Sequence, residues 1–274
     1  MSSELSFICR TCGHQHAASL SPPPRCAICD DERQYVGWEG QQWTTLAELA
    51  EEGHRTELRD VEPGLWGVGV TPALGIDQRG LVVTTPQGNV LWDVPGFVDH
   101  EAIERVAGLG GLAAISASHP HFYGVMVEWA RAFGATIFLP VADREWIMRP
   151  DASIELYEEA VSPVAGVRLV RTGGHFAGSA VLEWRAGAEG RGALLTGDTV
   201  AVVQDRRWIS IMRSYPNLIP LDEATLRAID SVLDGLHFDR IYGGWWGRVI
   251  PTGARAKVKA SIERYIERIG GADT

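Results

Sequence analysis

Two C-x2-C pairs, Cys9–Cys12 and Cys26–Cys29, hold all four cysteines of the chain within its first 29 residues. Each pair can pinch a cation in a tight turn, and two such knuckles thirteen residues apart make a tetrahedral thiolate site. Two disulfides would need an oxidising compartment. A redox-active pair would stand once beside a strand–helix unit, not twice in a Pro-rich stretch. Cys9, Cys12, Cys26 and Cys29 are therefore expected to close around one structural zinc ion. Such a site folds a segment that has too little core of its own, so it predicts structure rather than chemistry. His14 and His16 lie between the knuckles and, with four sulfurs available, are expected in solvent. This organisation assigns residues 1–37 to a zinc ribbon, 38–62 to a linker with a short helix, and 63–274 to a large domain.

The 274-residue chain is long enough for that domain to bury a sizeable core. Its formal charge of -10 argues against a broad nucleic-acid-binding face and does not favour anionic membranes. No apolar run approaches the roughly 20 residues that span a bilayer. MSSELSFICR has neither the basic start nor the apolar stretch of a signal peptide, so the expected location is the cytoplasm.

Thr45-Leu-Ala-Glu48 has capping-box spacing ahead of a short helix. From about residue 62 the pattern changes to short β-type runs: LWGVGV (65–70), LVVTT (81–85) and NVLWDV (89–94), separated by Pro- and Gly-containing turns. Asp99 caps a helix, LAAIS (112–116) reads as a buried strand, Val125 to Phe133 as a helix, and ATIFLP as a strand. The second half repeats the theme with VRLVR (167–171), AVLEW (180–184), ALLTG (193–197), a helix from Asp222, RIYGG (240–244) and a last helix to Ile269. Two similar halves of strands with interspersed helices predict a layered α/β sandwich with helices outside.

Three histidines fall at strand ends or Gly-rich turns: His119 and His121 in SHPHFYG, and His175 in TGGHFAGS. Asp198 joins them in LLTGDT, after a buried strand and a glycine. Strand ends give the rigid platform a metal site needs, and imidazoles with a carboxylate suit Zn²⁺, Fe²⁺ or Mn²⁺.

From about residue 64 to 269 these motifs resemble those of the metallo-β-lactamase-fold hydrolases. NVLWDVPG resembles the family's early strand with a supporting Asp, here Asp93. SHPHFYG stands in the place of its H-x-H-x-D-H motif, GGHFAGS in that of G-H-x-x-G, and LLTGDT on the strand with the shared Asp. The resemblance implies a four-layer αββα sandwich preceded by the ribbon, with metal between the sheet edges. It also implies that the first metal position is complete, as His119, His121 and His175 with Asp198, and the second is lost. Tyr123 and Gly124 replace the motif Asp and His, and RIYGGWWGR has Gly and Trp where the family usually has His.

The expected activity is hydrolysis of an ester, lactone or amide-type small molecule at a single Zn, Fe or Mn ion. Asp198 serves as fourth ligand or base, and Tyr123 is either a catalytic candidate that lines the pocket as donor or acceptor or an aromatic packed under the site. Trp245 and Trp246 are expected to fill the vacated space or stack on substrate. Arg213, Tyr215 and Asn217, in the loop after the Asp198 strand, are candidate substrate contacts. Two other readings are open: a non-haem iron oxygenase built on His119, His175 and Asp198, and a non-catalytic metal-binding protein. His100 is expected at the surface and His237 in a structural role.

Overall fold

The computed structural model describes residues 4–270. Strands β1 (Leu5–Cys9) and β2 (Gln15–Ser19), the single helical turn α1 (Ala27–Asp30), and β3 (Trp43–Thr44) make the ribbon. Its three strands run antiparallel in the order β2-β1-β3. The turn after β1 and the start of α1 bring the four thiols together, with Cys9 Sγ 3.6 Å from Cys29 Sγ and Cys12 Sγ 3.8 Å from Cys26 Sγ. All four are buried and none is in a disulfide.

Helix α2 (Leu46–Glu51) starts where the capping residues predict, with Thr45 Oγ1 accepting the Glu48 N–H at 3.2 Å. The linker assigned to 38–62 needs correction at both ends. Trp43–Thr44 is the third ribbon strand, and residues 55–62 form β4 (Arg55–Glu62), paired antiparallel with β5 (Leu65–Thr71). RTELRDVE hides its strand character because β4 is a sheet edge. Only Thr56 and Leu58 are buried, and the charged residues protect the open side from further pairing.

The first large sheet continues through β6 (Gly80–Val83), β7 (Val90–Trp92), β8 (Ala114–Ser116), β9 (Thr136–Pro140) and β10 (Ile154–Tyr157), in the order β10-β9-β8-β7-β6-β5-β4. Helices α3 (His100–Gly108) and α4 (Met126–Phe133) cover its outer face. The second sheet uses β11 (Ala160–Val164), β12 (Val167–Arg171), β13 (Ala180–Trp184) and β14 (Ala193–Gly197). After two small hairpins, β15 (Ala201–Val202) with β16 (Ile209–Ser210) and β17 (Met212–Ser214) with β18 (Ile219–Pro220), comes helix α5 (Glu223–Asp234). Strands β19 (Arg240–Gly243) and β20 (Val249–Ile250) then complete the order β11-β12-β13-β14-β19-β20, and α6 (Ala254–Ile269) ends the fold.

The layers can be read from alternate residues. Leu81, Val83, Val90 and Trp92 point between the sheets, where they meet Leu182, Trp184 and Leu195. Their neighbours Val82 and Leu91 point outward under α3 and α4, while Val181 and Leu194 point outward under α5 and α6. Strands buried on both faces need apolar residues throughout, which is why these runs were continuous in the sequence. The result is the four-layer αββα sandwich. Among the described residues, no helix is long and apolar enough to cross a membrane.

The ribbon is built into this body. Gln15 N–H donates to Gly124 O at 3.1 Å and Ala17 N–H to Met148 O at 3.0 Å. Gln78 Nε2 donates to Cys12 O at 3.1 Å and to His121 O at 3.3 Å, tying a cysteine knuckle to the histidine turn. Arg213 Nε donates to Glu32 Oε1 at 2.5 Å, and Asn217 Nδ2 donates to the carbonyls of Glu32 and Gln34. His14 and His16 are accordingly buried, not solvated. His14 packs 5.8 Å from the ring of Tyr123, and His16 lies edge-on to Trp43.

Candidate metal centre

Strand β8 ends at Ser116, and the chain then turns through a 3₁₀ segment, Pro120–Phe122, that begins at His119. That turn brings His121 back over His119. His175 arrives from the loop after β12, which Ser179 closes: its carbonyl accepts the N–H groups of Thr172 and Gly173, and its hydroxyl accepts that of Phe176. His119 Nε2 lies 3.2 Å from His121 Nδ1, and His175 Nε2 lies 3.4 Å from the same atom. One nitrogen from each ring thus points at a common centre, all within 4.8 Å of one another.

The rings are held from behind. His175 Nδ1 donates to Met212 O at 3.0 Å, which leaves Nε2 as the lone-pair nitrogen. Ser118 Oγ lies 3.0 Å from His119 Nδ1, and the Ser118 N–H donates to Asp93 Oδ1 at 2.7 Å. Asp93 is buried with φ at 59°, a costly conformation for a non-glycine, and burial pushes its carboxyl up to about 8. It supports His119 through Ser118. Gly197 makes this closeness possible, since a Cβ there would sit 2.1 Å from Ser118 Oγ.

Burial holds His119 and His121 well below the ordinary imidazole range, with the His175 ring the next cause, and it lowers His175 to about 4. Three neutral imidazoles are what a divalent cation requires. Asp198 Oδ1 stands 3.0 Å from His119 Nε2 and 4.0 Å from His175 Nε2. It has no hydrogen-bond partner among the described residues, because the approach to His119 lacks hydrogen-bond geometry. An orphaned carboxylate oxygen facing imidazole lone pairs fits a cation between them. Asp198 and His175 also line a cavity of about 620 Å³ that opens to solvent.

An uncharacterised protein of Bacillus subtilis (strain 168), YmaE, is 42% identical over 265 residues, covering 96% of each chain. The chain belongs to the YmaE family. No protein-family profile matches it. Among solved structures it is similar to VMB-1, at TM-score 0.59 and 14% identity over 78% of this chain and 98% of that one. DIM-1 metallo-β-lactamase gives TM-score 0.57 at 14% identity, over 80% and 99%. A Cronobacter sakazakii metallo-β-lactamase motif mutant gives 0.51 at 16%, over 78% and 97%. These likenesses establish that this member of the YmaE family has the metallo-β-lactamase fold.

The remaining site candidates separate. Trp245 and Trp246 line the cavity with the ring of Tyr215. Trp245 donates its indole N–H to Ile76 O at 2.9 Å. Trp246 lies flat over β5 where Gly67 and Gly69 leave room, with the Arg59 guanidinium 4.3 Å above it. The Tyr215 hydroxyl is turned to the carbonyls of Asp198 and Ser210, so it positions the Asp198 backbone. Arg213 and Asn217 are not cavity residues; they anchor the ribbon through Glu32 and Gln34. His237 is exposed, and its N–H donates to Glu183 Oε1 at 2.8 Å.

Tyr123 takes the second of its two expected places, as a packed aromatic. It is fully buried and outside the cavity lining, and its hydroxyl has no partner among the described residues. Burial holds that hydroxyl well above its ordinary range, and the side chain is not among those that line the cavity with His175 and Asp198. Tyr123→Phe should keep its full pocket metal and be as stable as the parent or more so by about 1 kcal/mol, since it loses an unsatisfied polar group. Elemental analysis and urea unfolding measure the two quantities. An empty pocket would make Tyr123 a ligand.

No motif or spacing pointed to Arg33, Gln34 and Tyr35, which reach the same cavity from the ribbon. Only their position in three dimensions reveals them.

Proposed function

We propose that this chain is a metal-dependent hydrolase with a single catalytic ion, acting on an ester, lactone or amide-type small molecule. The observation that carries the proposal is the convergence of His119, His121 and His175 beside an unpartnered Asp198, at the wall of an open cavity. A Zn, Fe or Mn ion there supplies a positive charge that polarises a carbonyl and lowers the pKa of a water to about 7. His119, His121 and His175 would hold the ion, and Ser118 and Met212 O fix the rings of His119 and His175. Asp198 is the group placed to take a proton from water entering by the cavity. Burial alone raises its carboxyl to about 7, and a neighbouring cation favours the ionised form that accepts the proton. Phe176 packs against all three imidazoles and keeps bulk water off that side.

Gly124 supports one ion rather than two. Its φ is 46°, and a Cβ there would fall 2.1 Å from Val94 O and 2.4 Å from Pro95 O, so the position has no room for a ligand. A Cβ on Gly244 would meet the Phe122 ring at 2.6 Å. Two cations close together without enough anionic ligands are electrostatically costly. In the ribbon, four thiolates suit one zinc ion. Free buried thiols fit a reducing compartment and support action in the cytoplasm.

Protein purified without chelator should therefore carry two metal ions per chain. It should turn over members of a panel of aryl esters, lactones and amides, and His119→Ala should lose that turnover. Three bound ions would overturn the single-ion centre. Bound iron with oxygen consumption, or a filled pocket with no turnover of any panel member, would overturn hydrolysis.

A further inference from the structure

Arg33 comes from the ribbon yet sits over the metal centre. Its guanidinium carbon lies 4.2 Å above the Phe176 ring and 5.5 Å from that of Trp146, and Phe176 in turn touches each of the three imidazoles. Nε and Nη1 are buried and have no hydrogen-bond partner among the described residues, while the side chain lines the cavity together with His175 and Asp198. Buried guanidinium N–H groups without acceptors are costly, and they are found where a ligand or water completes them. The nearest acid, Asp31, has Oδ1 3.4 Å from Arg33 Nε, but that oxygen already accepts the Arg33 backbone N–H at 3.0 Å.

We propose that Arg33 binds an anionic group of the substrate, a carboxylate, and so orients the scissile bond at the metal centre. This deepens the hydrolase reading and rests on it. Arginine presents a planar fork that matches a carboxylate, and stacking on Phe176 fixes the plane of that fork before ligand arrives. A monoanion suits it better than a dianion, because Asp31 offsets part of the charge and Asp198 stands in the same cavity. Arg248 lines the cavity too, so two guanidiniums and one carboxylate face the ligand in a chain whose formal charge is -10. A local cationic cleft in an acidic protein concentrates anions where they are needed. The zinc ribbon then takes part in substrate selection.

Paired thiols test this without a known substrate. Mercaptopropionate and mercaptopropanol both offer sulfur to the pocket ion, and only the first carries a carboxylate. Calorimetric titration of the full metal-loaded chain should show roughly ten- to a hundredfold tighter binding of mercaptopropionate, the worth of a charge-assisted hydrogen bond. Arg33→Gln should abolish that preference with the mercaptopropanol affinity and both metals retained, and Arg33→Lys should restore part of it. A preference that survives Arg33→Gln, that is missing in the parent, or that vanishes in Arg248→Gln instead would overturn the proposal. So would an equal loss of both affinities in Arg33→Gln, which would make Arg33 a stacking residue only. If neither thiol binds the parent protein, the metal-centre reading itself fails, and this proposal with it.

Discussion

Replacing His175 by alanine should empty the pocket of metal and lower turnover by roughly a thousandfold or more, since even outer partners of such ligands are worth ten- to a hundredfold. His175 is the one imidazole that comes from the second half of the fold, and Met212 O holds it at 3.0 Å in the tautomer that offers Nε2. Without it, His119 and His121 remain only two residues apart on one turn, with Asp198 beside His119, and they grip an ion from one side. Elemental analysis and activity on the same preparation would show whether both fall together. Ser118→Ala supplies the contrast, because it removes only the hydroxyl behind His119 and should cost ten- to a hundredfold. Undiminished pocket metal in His175→Ala would sink the three-histidine centre.

Cys26→Ser should release the ribbon ion and lower the bound metal from two ions per chain to one. A structural four-thiolate zinc site contributes about 10–16 kcal/mol of apparent binding energy in short peptides, so loss of one ligand should unfold most of the ribbon. The pocket ligands stand on the turns after β8, β12 and β14 of the body, and they should keep their ion. Hydrogen exchange would show the change: protection should disappear across β1 to β3 and persist in β12 to β14. Turnover should fall even so, because Arg33 leaves with the ribbon. Simultaneous loss of both ions would mean that the contact of Gln78 with Cys12 O and His121 O makes the two sites one cooperative unit.

The inner strands were legible because AVLEW and ALLTG are buried at every position and VRLVR keeps its apolar residues buried. VRLVR, AVLEW and ALLTG are β12, β13 and β14 at the positions the sequence implied. Asp99 and Asp222 cap their helices as expected, each accepting the N–H three residues on. The edge strand β4 was hidden, because a solvent-facing strand with alternating charges reads as a linker. The three histidines and Asp198 could be found as residues at strand ends, where each carries a local signal. Arg33, Gln34 and Tyr35 carry none, since what places them at the cavity is how the ribbon docks. The same docking explains why His14 and His16, polar residues in a short loop, are covered.

The closure around Gly124 bears on how this centre could change. On the single-ion reading proposed above, a two-ion version of the site is not a single substitution away. Asp in place of Tyr123 would put a carboxylate in a fully buried site, and any side chain at 124 would collide with the carbonyls of Val94 and Pro95. Gly124 O also accepts the Gln15 N–H, so shifting that loop to make room would loosen the ribbon at the same time. Selection or laboratory redesign is thereby directed toward the cavity rim, where Arg33, Trp246 and Arg248 can vary without disturbing the buried ligands.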